Sequence, residues 1–357
     1  MSGVEEILNT GIANTLAGND IVRGTGTGGR YTIFNSGTLN TADGNDIIMG
    51  IRNQKEEYPF MDYSAIYNER GTIDTGNGND IITGISEAGS GIQTLYGTIN
   101  TGDGNDQITG TGFSHGIFIN YGSTLDTGRG NDIITATGFR GLLNYSTINT
   151  GDGNDIINGN GNGTALGIYS HGFIDTGDGN DIIIGTSPYD GIINVGLPGN
   201  SLTLGDGNDI ITGISTGSSS VGIINGSTST IDTGTGNDII TGIGSLAGIR
   251  NNGTINTGNG NDSIIAVGGF EGSIGSVFLG EGKDYLKGFG SGNFDGENGK
   301  DALELTSGSY TVGISGTAVN FSKGSIVMNT SGFEELIAGN TKYDFSRLTN
   351  GQTIVVA

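Results

Sequence analysis

Ten copies of a short acidic turn punctuate this chain. Each reads Gly-Asn-Asp, with the aspartates at Asp20, Asp46, Asp80, Asp106, Asp132, Asp155, Asp181, Asp209, Asp238 and Asp262. The intervals are 26, 34, 26, 26, 23, 26, 28, 29 and 24 residues, and two looser copies, Gly-Lys-Asp, follow at Asp284 and Asp301. A carboxylate at the same place in every copy can accept an N–H, take up a proton or bind a hard cation. Its constancy makes it the first candidate for chemistry. The residues around it are turn formers, and in eight of the ten copies a second Gly stands two positions before the first.

The pieces between the turns are short and rich in Ile and Thr. Each repeat holds a T-I-N/D-T piece (Thr98-Ile99-Asn100-Thr101), the Gly turn, an I-I-T piece ending near a further Gly such as Gly110, and a G-I-x-N piece (Gly116-Ile117-Phe118-Ile119-Asn120). Three-to-five-residue runs of this kind, bounded by Gly and Asn, predict strands, and helical periodicity is absent. Three strands per roughly 26 residues predict an all-β fold: a right-handed parallel β-helix of about ten coils. The second residue after each motif Asp is aliphatic throughout, from Val22, Ile48 and Ile82 to Ile240 and Ile264, so that slot should face the core. Asn35, Asn68, Asn120, Asn144, Asn194, Asn225 and Asn251 are expected to stack as an amide ladder. In the slot before the Gly turn, Asp74, Asp126, Asp175 and Asp232 never neighbour one another from coil to coil, as like-charge repulsion demands.

The motif aspartates are different. One per coil, they would stack about 5 Å apart, where two like charges repel by about 1 kcal/mol in water and about 3–4 kcal/mol at an effective dielectric near 20. No Lys or Arg ladder offsets them. A hard divalent cation does so naturally, and Ca²⁺ accepts both carboxylate and carbonyl oxygen. The expected ligands are the twelve motif aspartates, Asp20 to Asp301, with main-chain carbonyls near the turn glycines: Gly76, Gly78, Gly102, Gly104, Gly128, Gly130, Gly151, Gly153, Gly177, Gly179, Gly205, Gly207, Gly234, Gly236, Gly258 and Gly260. The residue between the two glycines varies through Asp, Asn, Arg129 and Thr235, so its side chain should point away from the ion.

The turn G-x-G-N-D-x-U resembles the nonapeptide G-G-x-G-x-D-x-U-x of the RTX (hemolysin-type calcium-binding repeat) family over about residues 12–305. Thr, not Gly, precedes the first glycine, and the turns recur every 26 or so residues instead of nine. The resemblance implies calcium as the bound ion and, with one turn per coil, a single row of ions down one edge.

Composition narrows the classes. Of 357 residues 72 are Gly, 3 are Pro and none is Cys, so collagen-like, disulfide and thiolate-metal chemistry are excluded. The formal net charge of −23 argues against nucleic acid, and no apolar run is long enough for a transmembrane helix. The start, MSGVEEILNTG, lacks the pattern of a cleaved signal. The expected organisation is an N-terminal cap at 1–11, a calcium-binding β-helix at 12–266, degenerate repeats at 267–305 and an antiparallel β cap at 306–357. The segment Leu348–Ala357 resembles the uncleaved C-terminal signal of type I secreted RTX proteins.

A catalytic role is not expected. The weak candidates are His115 and Arg140, in equivalent slots of adjacent coils, with Asp190 in the same slot two coils on. Such a patch is the basis of an alternative reading as a polysaccharide-acting lyase or epimerase. The T-I-N/D-T ladder (Thr75, Thr101, Thr127, Thr150, Thr176, Thr233, Thr257) is the basis of a second, ice binding. Ile21, Ile47, Ile81, Ile133, Ile156, Ile182, Ile210 and Ile239 should form an outward apolar stripe, which the insertion at 52–63 is placed to cover or extend toward a partner. The leading expectation is a secreted, extracellular protein that folds on binding calcium, with a structural or adhesive role through self-association or contact with surface polysaccharide.

Overall fold

The computed structural model describes residues 6–27, 29–54, 63–272 and 274–357. Its regular elements are strands, apart from one short 3-10 turn at Phe345–Arg347. They form a parallel β-solenoid with three long sheets of 14, 11 and 16 strands. The first sheet holds the strands that follow the motif Asp, such as Ile81–Ser86 and Gln107–Gly112. The second holds the G-I-x-N strands, such as Ser90–Leu95 and His115–Ile119. The third holds the T-I-N/D strands, such as Thr98–Asn100. The chain passes second, third, first in every coil, so the Gly turn is always the corner between the third sheet and the first.

Register follows from the repeat. Ile82, Ile108 and Ile134 are directly paired in the first sheet, Ile92, Ile117 and Leu142 in the second, and Ile73, Ile99 and Leu125 in the third. These three columns of aliphatic side chains are fully buried and meet along the axis as one core. Between Ile48 and Ile264 the slot two residues after the motif Asp is buried throughout; Val22, in the first coil, is partly buried. A one-residue slip would turn a whole column into solvent, so the alternation holds the coils in register.

The degenerate repeats keep that register, with Ile264 pairing Leu286 and Leu286 pairing Leu303. Antiparallel strands then close the C-terminal end. Gly308–Ser315 pairs Ala318–Lys323, which pairs Ile326–Ser331, and Thr353–Val356 adds to the other side of Gly308–Ser315. The terminal residues are thus an edge strand of the third sheet. At the other end the expected cap at 1–11 is in part the first coil itself: Ile7–Asn9 pairs Tyr31–Asn35. Residues 1–5 and 55–62 lie outside the described residues, and with them most of the insertion at 52–63. Its described start is anchored by Arg52, buried, which donates to the carbonyls of Gly29 at 2.9 Å and Gln54 at 2.8 Å.

Two ladders differ from expectation. The Asn ladder of the second sheet is real where Asn9, Asn35 and Asn68 bond at 2.7 and 2.8 Å, and Asn194, Asn225 and Asn251 at 3.0 and 2.9 Å. Asn120 is not part of it. Register places Ile119 opposite Thr94 and Asn144, and Ile119 is fully buried. The second Thr of T-I-N/D-T also turns inward: Thr75, Thr101, Thr127, Thr150, Thr176, Thr233 and Thr257 are all buried. Strict alternation explains this, since Ile99 and Thr101 must lie on the same side. That ladder is therefore unavailable to ice.

Candidate metal centre

The second glycine of the turn is present in every copy, while the first is Leu16 and Ala42 in the two N-terminal copies. Gly102 has φ 84° and Gly104 φ 153°. A Cβ on Gly104 would lie 1.6 Å from the Gly78 carbonyl oxygen of the preceding coil, and one on Gly130 would lie 1.6 Å from that of Gly104. The turns are thus stacked with carbonyl oxygens aimed along the axis. At Gly260 the vacant Cβ position has the Gly236 carbonyl oxygen at 1.5 Å and the Asp262 Oδ1 at 3.2 Å. Omitting the side chain lets the backbones of successive turns pack this closely, with carbonyl and carboxylate oxygen side by side.

The motif aspartates form one continuous column. The Asp20 N–H donates to Asp46 Oδ1 at 2.7 Å, Asp46 to Asp80 at 2.7 Å, Asp80 to Asp106 at 2.7 Å, and so on to Asp284 and Asp301 at 2.9 Å. The looser copies at Asp284 and Asp301 belong fully to it. The Asp301 N–H donates to Glu334 Oε2 of the cap at 2.7 Å, which ends the series. The neighbouring Asn runs a second ladder the other way. The Asn105 N–H donates back to Asn79 Oδ1 at 2.7 Å, and Asn131 to Asn105 at 2.7 Å. This exposed Asn column had no role in the sequence reading, although its presence in every G-N-D copy was the available signal.

One oxygen of each carboxylate remains. Oδ2 of all twelve motif aspartates is buried without a hydrogen-bond partner. An orphaned buried carboxylate oxygen is costly alone, and twelve in one file are more so. Burial drives the response: the Asp106 and Asp155 carboxyls rise to about 7 and Asp132, Asp181, Asp262 and Asp284 to about 6. Burial raises Asp301 to about 7, and Asp80 and Asp238 are raised too. Neighbouring carboxylates add to the rise for several of them, while the backbone N–H and a Thr hydroxyl oppose it for most. Asp209 rises furthest, to about 8. Its coil has Leu204 where Thr101 or Thr150 stands elsewhere, so no hydroxyl opposes burial there.

Comparison with known proteins finds no matching family profile and no matching curated protein. Three solved chains match. One is a hyperactive, Ca²⁺-dependent, β-helical antifreeze protein from an Antarctic bacterium, 21% identical over 96% of each chain, with a TM-score of 0.47.

Among the described residues no three His, Cys, Asp or Glu side chains converge on one point. The donors on offer are one carboxylate per coil and main-chain carbonyls, an all-oxygen set. That set suits Ca²⁺ and gives zinc or copper none of the nitrogen or sulfur they favour. Arg129 points into solvent and meets Asp152 at 3.5 Å, so the variable slot of the turn stays clear of the carboxylate column. The alternating slot before the turn is also hydrogen-bonded: Asn100 donates to Asp74 at 3.2 Å, Asn149 to Asp126 at 3.1 Å and Asn256 to Asp232 at 3.2 Å.

The other candidates separate. His115 and Arg140 do come together, with Arg140 Nη1 3.4 Å from His115 Nε2 and Ser90 Oγ 3.2 Å from Nδ1. Burial, and then the Arg140 charge, push His115 down to about 4. Asp190 does not join them. It is buried, and its Oδ1 accepts from the Val221 N–H at 2.8 Å, so the three residues form no single constellation.

Proposed function

We propose that this chain is a calcium-folded β-solenoid of the RTX type, secreted and working outside the cell in a structural or adhesive role. The observation that carries the reading is the file of twelve buried Oδ2 atoms with no protein partner. The twelve aspartates, with the turn carbonyls, would hold the ions. Calcium between coils would supply positive charge where the column repels itself. The chain's own residues do the rest. The backbone N–H of each motif Asp orients the next carboxylate, and the turn glycines let the turns stack closely enough to bring their carbonyls beside it. Scarce cytosolic calcium would keep the chain unfolded for export, and abundant external calcium would fold it.

Calorimetric titration of metal-free protein with CaCl₂, with elemental analysis of the dialysed product, tests this. Several ions per chain are expected, taken up with a gain of far-UV β signal. Binding of none, or of one, would end the reading.

A further inference from the structure

The outer face of the first sheet carries no charge over nine successive coils of this acidic molecule. The chain has 37 acidic and 14 basic residues. On nine successive strands, from Ile47–Arg52 to Ser263–Val267, the first, third and fifth residues point outward and are half-buried or exposed. None of these is Asp, Glu, Lys or Arg. The first position is Ile on seven of the nine strands, the third is Thr on five, and the fifth is Ile, Val or Thr on eight. Charge returns at both ends of the face, with Arg23 before it and the Lys287–Glu304 ion pair, 2.8 Å, after it. The expected Ile stripe is therefore one column of a broader apolar and Thr surface.

Nine strands about 4.8 Å apart and three outward positions about 6.7 Å apart give a plane on the order of 38 by 13 Å. That is about 500 Å² per copy, or about 1,000 Å² for a pair, before corrugation and rim are counted. A specific protein interface begins at about that size. A surface of branched aliphatic side chains and Thr, lacking charge, matches a copy of itself. The occupant also has to avoid the exposed Asp43, Asp103, Asp152 and Asp206 on the Gly-turn edge beside the Ile column.

We propose that this face is where a second copy of the chain docks, the two solenoids lying parallel about a twofold axis that runs along their length. In that arrangement the Ile column of each copy lies over the fifth-position column of the other. Each acidic edge then meets the less charged loop edge of its partner. The antiparallel alternative would set acidic edge against acidic edge, well within a Debye length. The docking names a partner for the structural role proposed above and rests on that reading.

The test uses the full chain in millimolar calcium, with circular dichroism with and without chelator as a separate measure of calcium-dependent folding. Light scattering should give twice the 36.3 kDa chain mass. Thr135→Lys, near the centre of the face, should leave the far-UV circular dichroism in calcium unchanged and weaken the dimer at least about 100-fold, because two unpaired charges would be buried in the interface. Thr124→Lys, on the outer face of the third sheet, should remain dimeric. The chain has no Cys, so Thr83→Cys and Thr241→Cys each place one thiol near opposite ends of the face. Parallel docking has each cross-link to its own kind with a short bismaleimide; cross-linking only in the mixture would overturn the parallel arrangement. A folded parent that is monomeric at 100-fold dilution from millimolar stock, or a Thr135→Lys protein that stays dimeric, would overturn the proposal. So would a monomeric parent that shapes ice crystals when Thr135→Lys does not, since the occupant would then be ice.

Discussion

Removing calcium and varying pH should have opposite effects on this fold, and the carboxylate column sets the sign. The metal-free solenoid has motif carboxyls pushed up from 3.8 to between about 6 and about 8. A folded-state pKa above the unfolded one means the protonated column is the favourable one. Its contribution is complete below the unfolded value and is lost as pH rises through 6 to 8. Moving one carboxyl to about 7 corresponds to at most about 4 kcal/mol against its charged form. Screening by solvent and sharing of protons between neighbours reduce this to roughly 1–2 kcal/mol per site. Over eight such sites the penalty at pH 8 is on the order of 10 kcal/mol, comparable with the whole stability of an ordinary domain. In chelator the chain should therefore show β structure by far-UV circular dichroism near pH 5 and lose it by pH 8. With millimolar calcium the order reverses, because protons compete with the ion: midpoints should be higher at pH 8 than at pH 5. Thermal melts at both pH values, with and without chelator, make a four-way comparison. Equal β content in chelator at pH 5 and pH 8 would refute the reasoning.

Four further outcomes follow from single sites. Asp155→Asn keeps an Oδ1 acceptor for the Asp132 N–H, now 2.8 Å away, but removes the charge; it should lower stability in calcium by about 1–3 kcal/mol and raise it in chelator, read by melts in both buffers. Gly104→Ala places a Cβ against the Gly78 carbonyl oxygen, backbone that cannot yield, and should cost more than about 3 kcal/mol in denaturant titration. Gly316→Ala, with open space and φ 64°, should cost only about 1–2 kcal/mol. Asn154→Ala removes the exposed amide that accepts from the Asn180 N–H at 2.9 Å and should cost about 0.5–1.5 kcal/mol, in calcium and chelator alike.

The coil and its core were readable because the repeat is periodic at two levels. The Gly-Asn-Asp turn marks each coil, and alternation within each strand marks its inner side, so Ile108 or Ile134 could be placed before any coordinates. The same alternation already dictated that Thr101 turn inward, yet its polar character suggested a surface ladder. Asn120 misled for another reason. Motif spelling put it in the amide slot, whereas the stack accepts an apolar residue there and Ile119 gains a buried place. Asp190 shares its slot with His115 and Arg140 along the chain, but the loop around it gives the carboxylate a backbone N–H to satisfy. For the metal centre, sequence showed that carboxylates recur, and their repulsion pointed to a cation. It could not show that one oxygen of each is already taken by the coil before. That division of labour, with Oδ1 for the fold and Oδ2 left over, depends on three-dimensional register.

The buried ladder also has a direction. Each motif Asp N–H finds its acceptor on the following coil, and the last finds it on Glu334 in the cap. A rung's N–H therefore waits on its successor, while its Oδ1 takes its donor from the rung before, and the strand amide that follows each motif Asp also bonds backward, as Ile81 does to the Asp46 carbonyl at 2.8 Å. The two ends of the rod thus differ in kind: the head presents carboxylate oxygens that lack donors among the described residues, and the foot presents an amide that Glu334 of the cap satisfies. A further coil added at the head would bring the donor that end lacks, whereas removal of the cap would leave the Asp301 amide without its acceptor.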